Sequence, residues 1–208
     1  MQILQLSINR LKLKRLKRLL THGVFAYLYW SLNDYLPPAT YKIKKRTLLV
    51  NSLKNAPWIE TGTYLGETTE FLARHSPQVI SVEPSLVHYL YAKKRFKRKK
   101  NITLKNSTSE IVLEEIISQL SGEYNFYFDG HYSGDGTFLG GQKTPIREEL
   151  ALLEKYLLKF SNLFVAIDDF RVFGKEDGAY PSRNYLVDYC QRNNLEWKVE
   201  NDLFMFFK

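Results

Sequence analysis

Trp58-Ile-Glu-Thr-Gly-Thr-Tyr-Leu-Gly-Glu-Thr-Thr-Glu-Phe-Leu-Ala73, followed by Val79-Ile-Ser-Val-Glu83, is the stretch whose reading decides the fold. It reads as a buried strand carrying an acid, Glu60, then a turn through Gly62 and Gly66, a helix, and a second strand ending in a second acid, Glu83. A glycine turn lets backbone come close to a ligand at a helix N-terminus. A carboxylate at the tip of the next strand can accept both hydroxyls of a ribose. Together they point to a nucleoside cofactor.

Spacing narrows the choice. Dinucleotide sites place glycine at the first, third and sixth positions of the turn, but here Tyr64 stands where the second glycine would let a pyrophosphate approach. A dinucleotide is disfavoured. With Glu60 before the turn and Glu83 seventeen positions after Gly66, the segment resembles the first two motifs of class I S-adenosylmethionine-dependent methyltransferases. The resemblance implies that the turn, through Glu60, Gly62, Thr63 and Gly66, carries the methionine part of S-adenosylmethionine and that Glu83 binds its ribose.

Working outward, the pattern alternates. Helices are expected over 41–53, 67–74, 85–98, 109–120, 145–158 and 182–193, and strands over 57–61, 79–83, 102–105, 125–128, 163–167, 195–199 and 203–207. Alternation implies an α/β fold, a Rossmann-like doubly wound, mostly parallel sheet. The last two strands are joined by Glu200-Asn-Asp202, a turn too tight for a crossover, so the sheet is expected to end in an antiparallel hairpin. The basic run 97–100 is placed at a helix C-terminus and Ser109 at an N-cap. A methyltransferase-like domain over 54–208 follows a basic helical extension over 1–53.

Ligands of such a sheet sit beyond the carboxyl ends of its strands, where Glu60, Glu83, Asp129, Asp168 and Asp169 all fall. Ser107 and Thr108, after the third strand, are candidates for the adenine side. Asp129-Gly-His-Tyr-Ser133 and Ile167-Asp-Asp-Phe-Arg171 resemble strand ends in the branch containing macrolide-sugar O-methyltransferases, some of which bind magnesium through such aspartates. Asp129, Asp168 and Asp169 are therefore candidate ligands of Mg2+, which would orient an acceptor hydroxyl and lower its pKa. The alternative is that Asp129 orients the cofactor's amino group and Asp169 caps a loop. His131 is the candidate general base, its ordinary pKa lying near neutrality, with Asp129 beside it in a catalytic pair. The glycine-bearing loop 130–144 is expected to form an acceptor lid, and Lys143, Arg147, Arg171 and Lys175 border the same loops.

The 208 residues and 44% hydrophobic content fit one domain with an extension. Net charge is +8, but residues 1–46 hold ten Lys/Arg against Asp34 alone, so the excess lies in the extension. There Arg10, Lys12, Lys14, Arg15, Lys17 and Arg18 interleave with leucines. That pattern suits either a helix packed on its own domain or a peripheral contact with an anionic membrane. No signal peptide and no membrane span are expected, and the single cysteine, Cys190, excludes an intrachain disulfide. A cytoplasmic protein, peripheral on a membrane in one reading, fits these features. His22, His75 and His88 are read as surface or packing residues.

The functional expectation is methyl transfer to an oxygen of a small-molecule or glycan-like acceptor, with divalent metal assistance as an added element. Two readings from other classes stand beside it. One is a nucleic-acid-binding protein or RNA methyltransferase using the basic extension, although the chain lacks the N-P-P-Y-type motif of exocyclic-base methylation. The other is a non-catalytic protein that keeps the fold for partner or membrane attachment. A homodimer through the leucine-rich extension is a further expectation.

Overall fold

The computed structural model describes residues 2–21, 24–33, 38–130, 144–175 and 180–208. Three helices, α1 (Gln2–Thr21), α2 (Val24–Leu32) and α3 (Tyr41–Asn51), precede the alternating region. That region runs β1 (Trp58–Thr61), α4 (Glu67–His75), β2 (Val79–Val82), α5 (Leu86–Arg95), β3 (Ile102–Lys105), α6 (Ser109–Ser118) and β4 (Gly122–Phe128). It continues through α7 (Ile146–Tyr156), β5 (Phe160–Ile167), α8 (Arg183–Arg192), β6 (Glu196–Glu200) and β7 (Leu203–Phe207).

The strands form one sheet in the order β3-β2-β1-β4-β5-β7-β6. β1 to β5 are parallel, and β7 runs antiparallel to both β5 and β6. The final hairpin closes through Asn201 and Asp202, with φ of 52° and 66°, because a two-residue connection that keeps the strand twist needs both residues left-handed. Asparagine and aspartate tolerate that region best among residues with a side chain.

Successive residues of the central strands serve two cores. Phe126, Phe128, Val165 and Ile167 face α6 to α8, packing with Leu113, Ile117, Leu150, Leu153 and Leu186. Tyr127, Phe164 and Ala166 face the other way, with Trp58, Leu72 of α4 and Leu48 of α3. Helix α3, assigned to the extension in the sequence reading, thus supplies a wholly buried core residue. Helix α1 lies on α5 and the glycine turn, where Ile8, Leu65 and Tyr91 are buried together.

Three local expectations are corrected. β4 and β5 begin at Gly122 and Phe160 rather than 125 and 163, because the two strands continue to pair beyond the end of short β1, with the Asn162 amide donating to Glu123 Oε1 at 2.5 Å. α5 stops at Arg95, so the run 97–100 lies beyond the helix, where Phe96 turns in and is buried against Gly66. Thr108, not Ser109, is the N-cap of α6, and Ser109 is its first, buried, residue.

Candidate functional site

The glycine turn after β1 is held from three sides. Gly62 and Thr63 donate their N–H groups to Val82 O at 2.9 and 3.3 Å, tying the turn to β2. Arg95 donates to Leu65 O and Glu70 Oε2, tying it to α4. Gly62 has φ of +91°, and a Cβ there would sit 2.4 Å from Asp129 O; at Gly66, φ +71°, a Cβ would meet the Phe96 ring at 2.6 Å. The sequence reading ascribed both glycines to ligand approach, whereas packing against the β4 tip and Phe96 already requires them. Tyr64, between them, is left-handed at φ 48°, a conformation that costs a residue with a side chain about 1 kcal/mol.

What holds Tyr64 there is Glu83. At the tip of β2, Glu83 Oε2 accepts from Tyr64 N–H at 2.6 Å and Oε1 accepts from Ser85 N–H at 2.9 Å. Burial pushes its pKa up to about 7, the two backbone donors pulling the other way. Glu60 lies beneath the same turn, its Oε2 accepting from Thr69 Oγ1 at 2.5 Å and Ser81 Oγ at 2.6 Å, while Thr63 Oγ1 shares a 2.6 Å hydrogen bond with Ser81. Burial likewise raises Glu60 to about 7, offset by Ser81 and Thr69, and its buried Oε1 has no partner among the described residues. Glu60, Gly62, Thr63, Gly66 and Glu83 are therefore one connected cluster.

The loop after β3 joins the cluster through Asn106, whose amide donates to Glu83 O at 2.8 Å and sets Ser107 and Thr108 beside the β2 tip. Asp129 enters from the other side, its N–H bonded to Thr61 O at 3.0 Å. Next to it, Glu149 of α7 was not anticipated. It is buried; a Cβ on Gly130 would stand 3.5 Å from its Oε1 and 3.2 Å from Thr61 Oγ1. Burial raises its pKa to about 7 despite the nearby Ser109 and Thr61 hydroxyls, yet neither Oε1 nor Thr61 Oγ1 completes a hydrogen bond among the described residues. One signal was available: Glu149 falls in the Ile146, Leu150, Leu153 stripe, so an acid occupies an inward position of an amphipathic helix.

No family model and no curated protein matches the chain. Solved structures do. A protein of Streptococcus mutans, assigned as a methyltransferase and solved in complex with SAH, superposes with a TM-score of 0.50 at 12% identity, over 80% of this chain and 94% of its own. A protein of Clostridium thermocellum, assigned as an rRNA methylase, superposes with a TM-score of 0.53 at 9% identity, again over 80% and 94%. The chain has the Rossmann-like methyltransferase fold. Its antiparallel β5-β7-β6 ending and its N-terminal helices complete that description.

An acid cluster stands at the tips of β4, β5 and β7. Tyr127 OH donates to Asp168 Oδ2 at 2.6 Å and reaches Asp129 Oδ2 at 3.4 Å, so one phenol links two strand ends. Burial and then the charges of Asp129 and Asp168 keep that phenol protonated. The carboxylates that could share one ion among the described residues are Asp168, Asp169 and Asp202, with oxygens within 4.8 Å of one another; Asp129 is not in the group. Lys44 of α3 already fills the centre, its Nζ donating to Asp168 Oδ1 and standing 2.9 Å from Asp169 and 3.3 Å from Asp202. Arg171 bonds Asp169 Oδ1 at 2.5 Å and pairs with Asp202. Burial acts to lower the Lys44 pKa, but Asp168 and Asp169 outweigh it, so the ammonium stays charged. A divalent ion would need the oxygens that Lys44 and Arg171 occupy, so the arrangement does not fit Mg2+ at the expected set Asp129, Asp168 and Asp169.

His131 and Lys143, with most of the proposed lid, lie outside the described residues. His88, read as packing, lies against Tyr64 with ring centroids 4.9 Å apart and the planes tilted by 40°; burial and then Lys14 lower its pKa to about 4. Arg147 stacks on Tyr185 and is not gathered into the strand-tip cluster. Lys44, Tyr127 and Asp202, with Glu149, are the participants that sequence reasoning missed.

Proposed function

We propose that the chain is an S-adenosylmethionine-dependent methyltransferase acting on an oxygen of a small or glycan-like acceptor. Glu83 carries the reading. A carboxylate has about four acceptor positions, and the Tyr64 and Ser85 N–H groups use two, so the remainder suits the vicinal hydroxyls of a ribose. The residues fit the cofactor in a second respect: Glu60 keeps a buried, unpartnered oxygen beneath the turn that would hold the methionine part. Ser107 and Thr108 stand on the adenine side.

The bound cofactor supplies an electrophilic methyl group on its sulfonium. The chain's own work is alignment: Glu83 and the turn fix one reactant, and the tips of β4 and β5 fix the other, which turns a bimolecular encounter into an ordered one. Asp129 and His131 are the groups assigned to receive the acceptor's hydroxyl proton. Tyr127, Asp168 and Lys44 hold Asp129's surroundings polar and fixed, and no step is assigned to a metal.

An RNA acceptor is a second reading, supported by the positive excess of residues 1–46. Methyl transfer from labelled S-adenosylmethionine, offered to oligosaccharides, phenols and total RNA with and without a chelator, separates the readings. Label entering an oxygen of a sugar or phenol, unaffected by chelation, is expected. Label entering RNA alone would replace the acceptor assignment. Binding of cofactor without transfer to any class would favour a non-catalytic role.

A further inference from the structure

Helix α1 carries apolar residues on two sides, and among the described residues one of these sides is buried. At about 100° per residue, Ile8, Leu11 and Arg15 fall on one side. There Ile8 is buried with Leu65 and Tyr91, Leu11 packs beside them, and Arg15 reaches Glu70 at 3.7 Å. Leu6, Leu13 and Leu16 fall on the opposite side and are 61%, 57% and 54% exposed. Arg10 and Lys12, both exposed, flank that outer stripe on either edge. No helix among the described residues is long and apolar enough to cross a membrane.

We propose that the outer stripe of α1 docks on an anionic lipid surface. Three leucines set around the exposed Asn9 and bordered by cations suit a helix lying in the headgroup layer, its apolar side chains at the acyl boundary and its polar and cationic ones among lipid headgroups. Charge complementarity is carried by α1 itself, whose sequence holds six cations, Arg10, Lys12, Lys14, Arg15, Lys17 and Arg18, and no acid. A polyanion such as RNA would be met by the cations alone and gives no use for three half-exposed leucines. The inner face of α1 rests on the glycine turn, with Lys14 Nζ 5.2 Å from the Tyr64 ring centroid, so docking brings that turn to within about one helix diameter of the bilayer. This inference does not depend on methyl transfer.

The test is flotation of the full chain with vesicles of neutral phosphatidylcholine or of phosphatidylcholine containing one-third phosphatidylglycerol. Wild type is expected to float with the anionic vesicles only. Leu13→Ser with Leu16→Ser should weaken binding by at least about tenfold at unchanged charge, and Arg10→Gln with Lys12→Gln by a similar factor. All four side chains point to solvent, and unchanged thermal melting of each variant verifies folding. Failure of the wild type to float would overturn the proposal, as would a leucine variant that floats as well as wild type, the behaviour of a purely electrostatic, RNA-type surface. It would equally be overturned if the leucine variant turned a dimer into a monomer in sedimentation without changing flotation, since a second copy would then be the occupant.

Discussion

Replacing Lys44 by methionine keeps the length of the side chain and removes the ammonium that joins α3 to the tips of β5 and β7. Lys44, Asp168 and Asp202 have side chains no more than 9% exposed, so the carboxylates left behind cannot recover full hydration. Breaking a buried pair from one side costs roughly 3–5 kcal/mol. Arg171 still pairs with Asp169 and Asp202, which favours the lower end, while Asp168, left among the described residues with the Tyr127 hydroxyl and the Asp169 N–H, keeps the cost within that range. For a chain of this length, each kcal/mol moves Tm by roughly 2–4 °C, giving an expected fall of roughly 6–20 °C in calorimetry. The raised lysine pKa fixes the sign of the pH dependence. The contribution is fully present below the ordinary lysine value and is lost as pH rises above it, so the deficit should be steady from neutrality to about pH 10 and shrink beyond. Three carboxylates facing one remaining arginine should also accept a divalent ion, so millimolar Mg2+ or Mn2+ should restore part of the variant's Tm and leave wild type unmoved. A variant melting within about 2 °C of wild type, or a wild type stabilised by Mg2+ as much as the variant, would refute the reasoning.

Glu83 is held near pH 7 by burial, and its ionised form is the better acceptor of two hydroxyls, so wild-type affinity for S-adenosylhomocysteine should rise with pH up to about 7 and then level; calorimetry across pH 5.5–8.5 reads this, and Glu83→Gln should flatten it. Glu60 and Glu149 also have folded pKa values raised to about 7, so their contributions to stability are present below the ordinary carboxylate range and lost as pH rises to about 7. Relative to wild type, Glu60→Gln and Glu149→Gln should each gain up to about 3 kcal/mol in urea unfolding between pH 4.5 and 7.5; parallel pH profiles would contradict this. Gly62→Ala should destabilise by at least about 2 kcal/mol, since the methyl meets Asp129 O at 2.4 Å and the backbone is left-handed; equal urea midpoints would show that the turn is not so close.

Much of this architecture was legible because its signals are local. Period-two apolar runs, glycine turns and the Asn201-Asp202 hairpin each declare themselves within a few residues. The glycine-turn cluster proposed to hold the cofactor was legible for the same reason: Glu60, Gly62, Thr63, Gly66 and Glu83 belong to one unit and are tied together by hydrogen bonds within it. The acid cluster was read less well because its partners come from far apart. Asp168 and Asp169 stand in the sequence as an unpaired acidic couple, and only folding brings Lys44, 124 positions away from Asp168, into their midst and Asp202 beside them. Lys44 and Glu149 share the one pattern that could have exposed them: each is a charged residue at an inward position of an amphipathic helix, Lys44 with Thr47 and Leu48, Glu149 with Leu150 and Leu153. The two faces of α1 escaped notice because leucines on both sides cancel any single amphipathic direction.

The measurement that bears most directly on the central claim is calorimetric titration of the protein with S-adenosylhomocysteine, wild type against Glu83→Ala. The account predicts binding by wild type that weakens at least about tenfold in the variant, two hydrogen bonds to a charged group being lost, with no dependence on added Mg2+. Absence of binding to a folded wild type, or equal affinity in the variant, would contradict it.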